Sequence, residues 1–76
     1  MQAKVKKIMA HIFEVPLEEI TVDASPDSVE HWDSIRHMNL VLALEEEFDV
    51  EFTDEQIVTM LNFQLILLNL KEVLQY

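Results

Sequence analysis

The sequence predicts an all-α fold in which three longer helices and one short helix form a small bundle, as a single domain over residues 1–76. Two observations carry this prediction. Apolar residues recur three and four positions apart in several segments, and this spacing places them on one face of a helix. Helix-capping residues stand at the starts of these segments, whereas the one stretch that could be extended, Glu51 and Phe52, has no partner strand.

The first helix is predicted over residues 2–14. Its apolar stripe consists of Val5, Ile8, Met9, Ile12 and Phe13. Pro16 ends it, because a proline disfavours helical geometry in the residue before it. A long connection follows over residues 15–33, and loops of this length in small domains are usually functional. Its expected apolar anchors are Leu17, Ile20, Val22, Val29 and Trp32.

The second helix is predicted to begin near Asp33 or Ser34 and to end at Phe48, with Asp33 as a favourable N-cap. Its core-facing stripe consists of Leu40, Val41, Leu44 and Phe48. Ile35, Met38 and Leu42 lie on a different strip of the same helix. The sequence therefore predicts a helix with one buried face and a second apolar strip beside it.

The last two helices follow closely. Thr53 and Gln56 have the spacing of a capping box, which predicts a short third helix that ends at Met60. Asn62 is expected to cap the fourth helix. Its apolar positions are Phe63, Ile66, Leu67, Leu70, Val73 and Leu74.

The composition excludes several classes of function. Half of the residues are apolar, which argues against a disordered chain, and 76 residues form too thin a core for a self-sufficient enzyme. The net charge of −10 disfavours nucleic acid and anionic lipid and favours partners with basic patches. No cysteine is present, which fits a reducing compartment, so we expect a cytoplasmic monomer without a signal peptide or a membrane span.

The segment Trp32-Asp33-Ser34-Ile35 stands where the long connection gives way to the second helix. A serine at a helix N-terminus lies beside unsatisfied backbone N–H groups and the positive end of the helix dipole, both of which favour a phosphate. The simpler interpretation is that Asp33 and Ser34 only cap the helix. Trp32 is expected to pack beneath the loop.

The run from Trp32 to Phe48, with the order of helices around it, resembles the modification site and second helix of acyl carrier proteins. The resemblance implies an acyl-carrier-protein-like four-helix bundle that is a carrier and not an enzyme. It implies that Ser34 carries 4′-phosphopantetheine, transferred from coenzyme A by a magnesium-dependent holo-synthase, and that Asp33 helps to hold the metal during that step. Acyl cargo would then be carried as a thioester.

The resemblance also implies partners, namely the holo-synthase and acyl-activating and acyl-transferring enzymes with basic docking patches. The second helix is the expected docking edge. Its expected apolar contacts are Ile35, Met38 and Leu42, and its expected charged contacts are Asp33, Glu45 and Glu46. Charge of this kind speeds encounter more than it tightens binding.

Two departures from the family pattern stand out. Many members have a glycine where this chain has His31, so the backbone there must turn without glycine's conformational freedom. Carriers of bulk fatty-acid synthesis generally have acids on the first turns of the second helix, where this chain has Arg36, His37 and Asn39. This pattern indicates a specialised lipid, polyketide or related pathway.

The sequence admits three other interpretations. A catalytic triad of Ser34, His37 and Asp33 is disfavoured because one helical turn cannot supply its geometry, so His37, like His11, is expected at the surface. The acidic run 45–47 lacks the ligand spacing of a calcium loop, and no metal site is expected. The main alternative is an unmodified acidic helical module that binds a basic protein partner.

Overall fold

The computed structural model describes residues 1–74, and the regular secondary structure within them is entirely helical. Helix α1 spans Gln2–Phe13, α2 spans Ser34–Phe48, α3 spans Asp54–Thr59 and α4 spans Phe63–Leu74. One 3₁₀ turn, Leu17–Glu19, interrupts the long connection between α1 and α2. The predicted fold of three longer helices and one short helix is therefore confirmed.

The apolar stripes of the helices meet in one core. Its most deeply buried helical residues are Val5, Met9 and Phe13 of α1, Leu40, Val41 and Leu44 of α2, and Phe63, Ile66 and Leu70 of α4. Phe48, Val73 and Leu74 pack against this core but are only partly buried. Helix α3 contributes no fully buried residue of its own, so its position depends on contacts at its edges.

The connection between α1 and α2 is attached to the core by Ile20, Ala24, Val29 and Trp32. The prediction that Leu17 and Val22 are also anchors is wrong, because they are 45% and 46% exposed. Val22 lies on the outside of a turn in which the Ala24 N–H donates to the Thr21 carbonyl. The Ala24 carbonyl in turn accepts from the N–H of Phe63 at 2.9 Å, so the small residue is held against the start of α4.

The chain has no glycine, yet three of residues 1–74 have positive φ: Glu14 at 56°, His31 at 71° and Asp49 at 55°. Glu14 and Asp49 are left-handed residues at the C-terminal ends of α1 and α2, where this conformation commonly ends a helix. The third, His31, lies just before α2 and directs the chain into the candidate site.

The predicted caps of the last two helices are present. Thr53 and Gln56 form the reciprocal capping box at the start of α3. The Asn62 side-chain oxygen accepts from the N–H of Leu65 at 2.8 Å at the start of α4. Buried Asn69 donates to Thr59 at 3.3 Å and so ties the end of α3 to α4.

Candidate functional site

The entry to α2 is fixed by Trp32 and Asp33. The indole of Trp32 is 8% exposed and stacks on Phe13 with the ring centroids 4.8 Å apart, which confirms that this tryptophan packs beneath the loop. The Asp33 carboxylate accepts from the N–H of Arg36 at 2.8 Å, and the Asp33 carbonyl accepts from the N–H of His37 at 2.8 Å. Asp33 is therefore the N-cap of α2.

Ser34 is the first residue of α2, and its side chain is exposed. Its hydroxyl makes no hydrogen bond with any residue of the described chain. The other two serines differ, because Ser25 Oγ accepts from the Asp27 N–H at 3.3 Å and Ser28 Oγ donates to the Ser25 carbonyl at 3.3 Å. Ser34 is thus the one serine with an unengaged hydroxyl at a helix N-terminus.

The surroundings of Ser34 fit a phosphate ester. Asp33 satisfies the N–H groups of Arg36 and His37, which leaves those of Ser34 and Ile35 without a partner among residues 1–74. Two unpaired N–H groups at the positive end of a 15-residue helix favour a phosphate oxygen. The capping task belongs to Asp33, so the Ser34 hydroxyl is available for another role.

An open groove of about 430 Å³ begins beside Ser34 and runs between α2 and α3. Its lining residues are Pro26, Trp32, Asp33, Ser34, His37, Met38, Ile57, Val58 and Leu61. Val58 and Leu61 are 67% and 57% exposed, so one wall presents apolar side chains to solvent. The groove can receive a flexible chain attached at Ser34.

His31 shows how the chain turns without the glycine that many family members have. It takes the left-handed conformation that glycine adopts most readily, with φ 71°. Its Nδ1 lies 2.9 Å from the Phe13 carbonyl oxygen, and because a carbonyl only accepts, Nδ1 is the donor. This hydrogen bond joins the His31 side chain to the last residue of α1 and so holds the turn in place.

Arg36 ties α2 to the C-terminal end of α1. Its guanidinium donates to the Ile12 carbonyl at 2.9 Å and contacts the Glu14 carboxylate at 2.8 Å. The hydrogen bond and the positive charge of Arg36 lower the pKa of the Glu14 carboxyl. The ion pair therefore stabilises the fold above the usual carboxyl pKa, and this contribution is lost as the pH falls through the lowered pKa.

We expect Arg36→Ala to lower the free energy of unfolding by roughly 1 kcal/mol, mainly through the lost bond to the Ile12 carbonyl. Glu14→Gln keeps that bond and should have a smaller effect at neutral pH, since exposed ion pairs contribute little. Urea melts at neutral pH and near pH 3 measure both. An Arg36→Ala loss no larger than that of Glu14→Gln would contradict this assignment.

His37 is not the surface residue that the sequence predicted. It is half-buried, Nδ1 accepts from the Trp32 indole N–H at 3.1 Å, and Nε2 lies 3.0 Å from the Ile57 carbonyl oxygen. The sequence pattern did not show this role because both partners lie on other segments. The two occupied nitrogens leave none for Ser34, which agrees with the prediction that no triad forms. His11 is exposed as predicted.

The expected docking residues differ in their exposure and in their hydrogen bonds. Ile35, Met38 and Leu42 are all exposed, Ile35 most of all at 75%. Glu46 is exposed and makes no ion pair among the described residues, whereas the half-buried Glu45 accepts from the Phe52 N–H at 2.8 Å. Glu45 therefore also holds the segment after α2 in place.

We expect the melting temperature to rise with sodium chloride, because the chain has fifteen acidic residues and five basic ones. Two ion pairs form among the described residues, Lys4 with Glu47 and Arg36 with Glu14, so repulsion between the other acids is not offset by ion pairing. Salt screens exposed charges beyond about 10 Å at 0.1 M. Magnesium at matched ionic strength should raise it further by bridging neighbouring carboxylates. A melting temperature that is flat or falls in both series would contradict strong repulsion between the acids.

Two further findings concern residues 1–74. None of their helices is long and apolar enough to cross a bilayer. Over the same span, no three histidine or acidic side chains are grouped as the ligands of a metal ion.

Comparisons with known proteins agree with this geometry. Residues 3–64 match the family model described as the phosphopantetheine attachment site. The chain is 38% identical over 55 residues to an acyl carrier protein of Buchnera aphidicola, which covers 72% of this chain and 70% of the relative. The solution structure of holo acyl carrier protein from Geobacter metallireducens superposes with a TM-score of 0.85 at 22% identity, covering 97% of this chain and 85% of that one.

The fold and the family match define a carrier domain with a phosphopantetheine prosthetic group. The chain belongs to the acyl carrier protein family. It is accordingly a carrier and not an enzyme, and it works with a synthase and with enzymes that handle acyl groups.

Proposed function

We propose that Ser34 is the residue to which phosphopantetheine is attached. The observation that carries this proposal is the division of tasks at the start of α2: Asp33 caps the helix while the exposed Ser34 hydroxyl has no partner in the described chain. The unpaired N–H groups of Ser34 and Ile35 support a phosphate at the same point. When bound, the group supplies a flexible arm whose terminal thiol holds acyl cargo.

The chain's part in the attachment is small. Ser34 Oγ attacks the β-phosphorus of coenzyme A, so that a new O–P bond forms, the pyrophosphate bond breaks and adenosine 3′,5′-bisphosphate leaves. The hydroxyl proton passes to a base of the transferase. The Asp33 carboxylate lines the groove beside Ser34. One of its oxygens accepts from the Arg36 N–H, and the other is available to hold the transferase's magnesium.

We further propose that α2 is the docking edge for partner enzymes. Ile35, Met38 and Leu42 would supply apolar contact, and Asp33 and Glu46 would supply exposed charge. Glu45 would contribute charge only in part, since its carboxylate also holds the N–H of Phe52. Basic patches on the partner would complement this surface and speed encounter.

A specialised acyl or aminoacyl pathway is the pathway class we favour. The first turns of α2 carry no acid after Asp33, and apart from Ser34 the exposed side chains there are Ile35, Met38 and Asn39. Arg36 is directed to α1 and His37 to α3. A partner must therefore bind a largely apolar surface near Ser34. Carriers for bulk fatty-acid synthesis present acidic first turns at this place instead.

The test is an intact-mass measurement after co-expression with a promiscuous phosphopantetheinyl transferase. We expect one added arm, located by peptide mapping to the segment that contains Ser34. The chain offers matched controls, since Ser25→Ala and Ser28→Ala remove the other two serine hydroxyls and should leave the added mass unchanged. An unchanged wild-type mass with several transferases would instead favour the unmodified interaction module.

A further inference from the structure

His37 follows Ser34 by three residues, so both side chains lie on the same side of α2. The two nitrogens of its ring have partners of opposite kinds. An indole N–H only donates and a carbonyl only accepts, so Nδ1 accepts from Trp32 and Nε2–H donates to Ile57. The network therefore requires the neutral ring with its proton on Nε2.

This ring joins three segments: the connection before α2, α2 itself and α3. Among the described residues, its bond to Ile57 is the one side-chain hydrogen bond between α2 and α3. At 3.0 Å it is shorter than the bonds that tie α3 to α4, which are 3.3 Å from Asn69 and 3.4 Å from Gln56 to Glu72. Because α3 has six residues and none is fully buried, such ties help to hold it in place, together with the buried residues that flank it, Phe52 and Met60.

The bond also crosses the groove beside Ser34. Ser34, His37 and Met38 line its α2 side, while Ile57 and Val58 line its α3 side. A wider separation of the two helices requires α3 to move away from α2, and that movement breaks the bond from His37 to Ile57.

We propose that His37 is a positioning residue that fixes α3 against α2 and so sets the width of the groove that receives the arm and its cargo. This inference rests on the proposed attachment at Ser34. With His37 in place, the groove admits the arm and a short acyl group, and the remainder of a longer hydrocarbon chain stays in solvent. The residue is thus a determinant of which cargo the carrier can shelter.

The unmodified chain provides the first test, which does not depend on the arm. We expect ¹⁵N chemical shifts of the His37 imidazole to show one neutral tautomer with the proton on Nε2, whereas exposed His11 should show a mixture. His37→Phe keeps a ring but removes both hydrogen bonds, and it should speed amide exchange in α3 roughly five- to tenfold. His37→Gln, which can accept and donate, should restore part of the protection.

The single tryptophan gives a second signature. The Trp32 indole N–H donates to His37 Nδ1, so Trp32 emission should shift in His37→Phe, where that bond is lost. The emission should shift less in His37→Gln and should stay unchanged in His31→Asn. The reverse result, or a mixed His37 tautomer, would overturn the proposal.

The cargo test compares melting temperatures of the protein loaded with acetyl, hexanoyl or decanoyl groups on the arm. In the wild type the melting temperature should not rise with chain length. In His37→Ala it should rise, because α3 can move and admit the longer chain. Met38→Ala, which changes the same groove wall without touching the bridge, is the matched control. Equal dependence in His37→Ala and Met38→Ala would overturn the proposal.

Failure at Ser34 is distinguishable from failure of this inference. If the chain gains no arm, the intact mass alone contradicts the proposed attachment at Ser34. The tautomer and amide exchange of the unmodified chain still decide whether His37 bridges α2 and α3.

Discussion

Ser34→Ala is expected to abolish the addition of the phosphopantetheine arm completely while leaving the fold nearly intact. The two effects separate because Asp33, and not Ser34, accepts from the N–H of Arg36 and caps α2. Loss of an exposed hydroxyl with no partner in the described chain should change the free energy of unfolding by no more than about 0.5 kcal/mol. Intact mass after co-expression and a thermal melt of the same preparation measure both quantities.

Asp33→Ala is the informative comparison. It leaves the Ser34 hydroxyl in place but removes the cap of a 15-residue helix, which should cost roughly 0.5–2 kcal/mol. Ser34→Ala should therefore be stable but unmodified. Asp33→Ala should be less stable but keeps the serine hydroxyl to which the arm is attached. A Ser34→Ala protein that melts far below the wild type would show that Ser34 is structural and would weaken its assignment as the attachment site.

Local sequence signals were sufficient for much of this fold. The helical spacing of Leu40 and Leu44 predicted the buried face of α2, and Thr53 with Gln56 predicted the start of α3. These signals act over three or four residues, so they can be read along the chain. The position of Ser34 at the start of α2 followed from the same local rules, since Asp33 is a favourable cap.

Contacts between distant segments could not be predicted in the same way. His37 was expected at the surface, but its two partners are Trp32, five residues earlier, and Ile57, twenty residues later. Arg36 likewise reaches back to Ile12, twenty-four residues earlier. A polar residue on an amphipathic helix has no periodicity that distinguishes a solvated side chain from one bonded across a helix interface.

These contacts also change the meaning of the unusual residues after Ser34. From the sequence, Arg36 and His37 distinguish this chain from carriers of bulk fatty-acid synthesis by the missing acids on the first turns of α2. In the folded chain Arg36 bonds to the end of α1, and His37 bonds to α3 across the groove beside Ser34. The proposed docking edge therefore has Ile35, Met38 and Leu42, which are exposed and apolar, as its contacts nearest to these two residues.

Leu44→Ala and Met38→Glu are expected to damage the protein in opposite ways, because the two residues lie on different faces of α2. Leu44 is fully buried, and emptying such a site costs about 2–5 kcal/mol, which is a large share of the 5–15 kcal/mol that stabilises a typical domain. Met38 is 44% exposed, so a glutamate there should cost little stability. It should, however, place a charge on the proposed docking edge and in the groove beside Ser34.

The measurement pairs urea melts with rates of arm attachment and acyl loading by cognate enzymes. Leu44→Ala should lower the melt strongly and, at a temperature where it remains folded, should be modified and loaded at nearly the wild-type rate. Met38→Glu should keep its melt and be modified or loaded more slowly, since desolvating a charge disfavours an apolar contact. Met38→Leu is the matched control, because it retains apolar character and should keep both properties. If Met38→Glu lowers stability as much as Leu44→Ala, Met38 belongs to the core; if it leaves both stability and loading unchanged, the docking edge does not include this position.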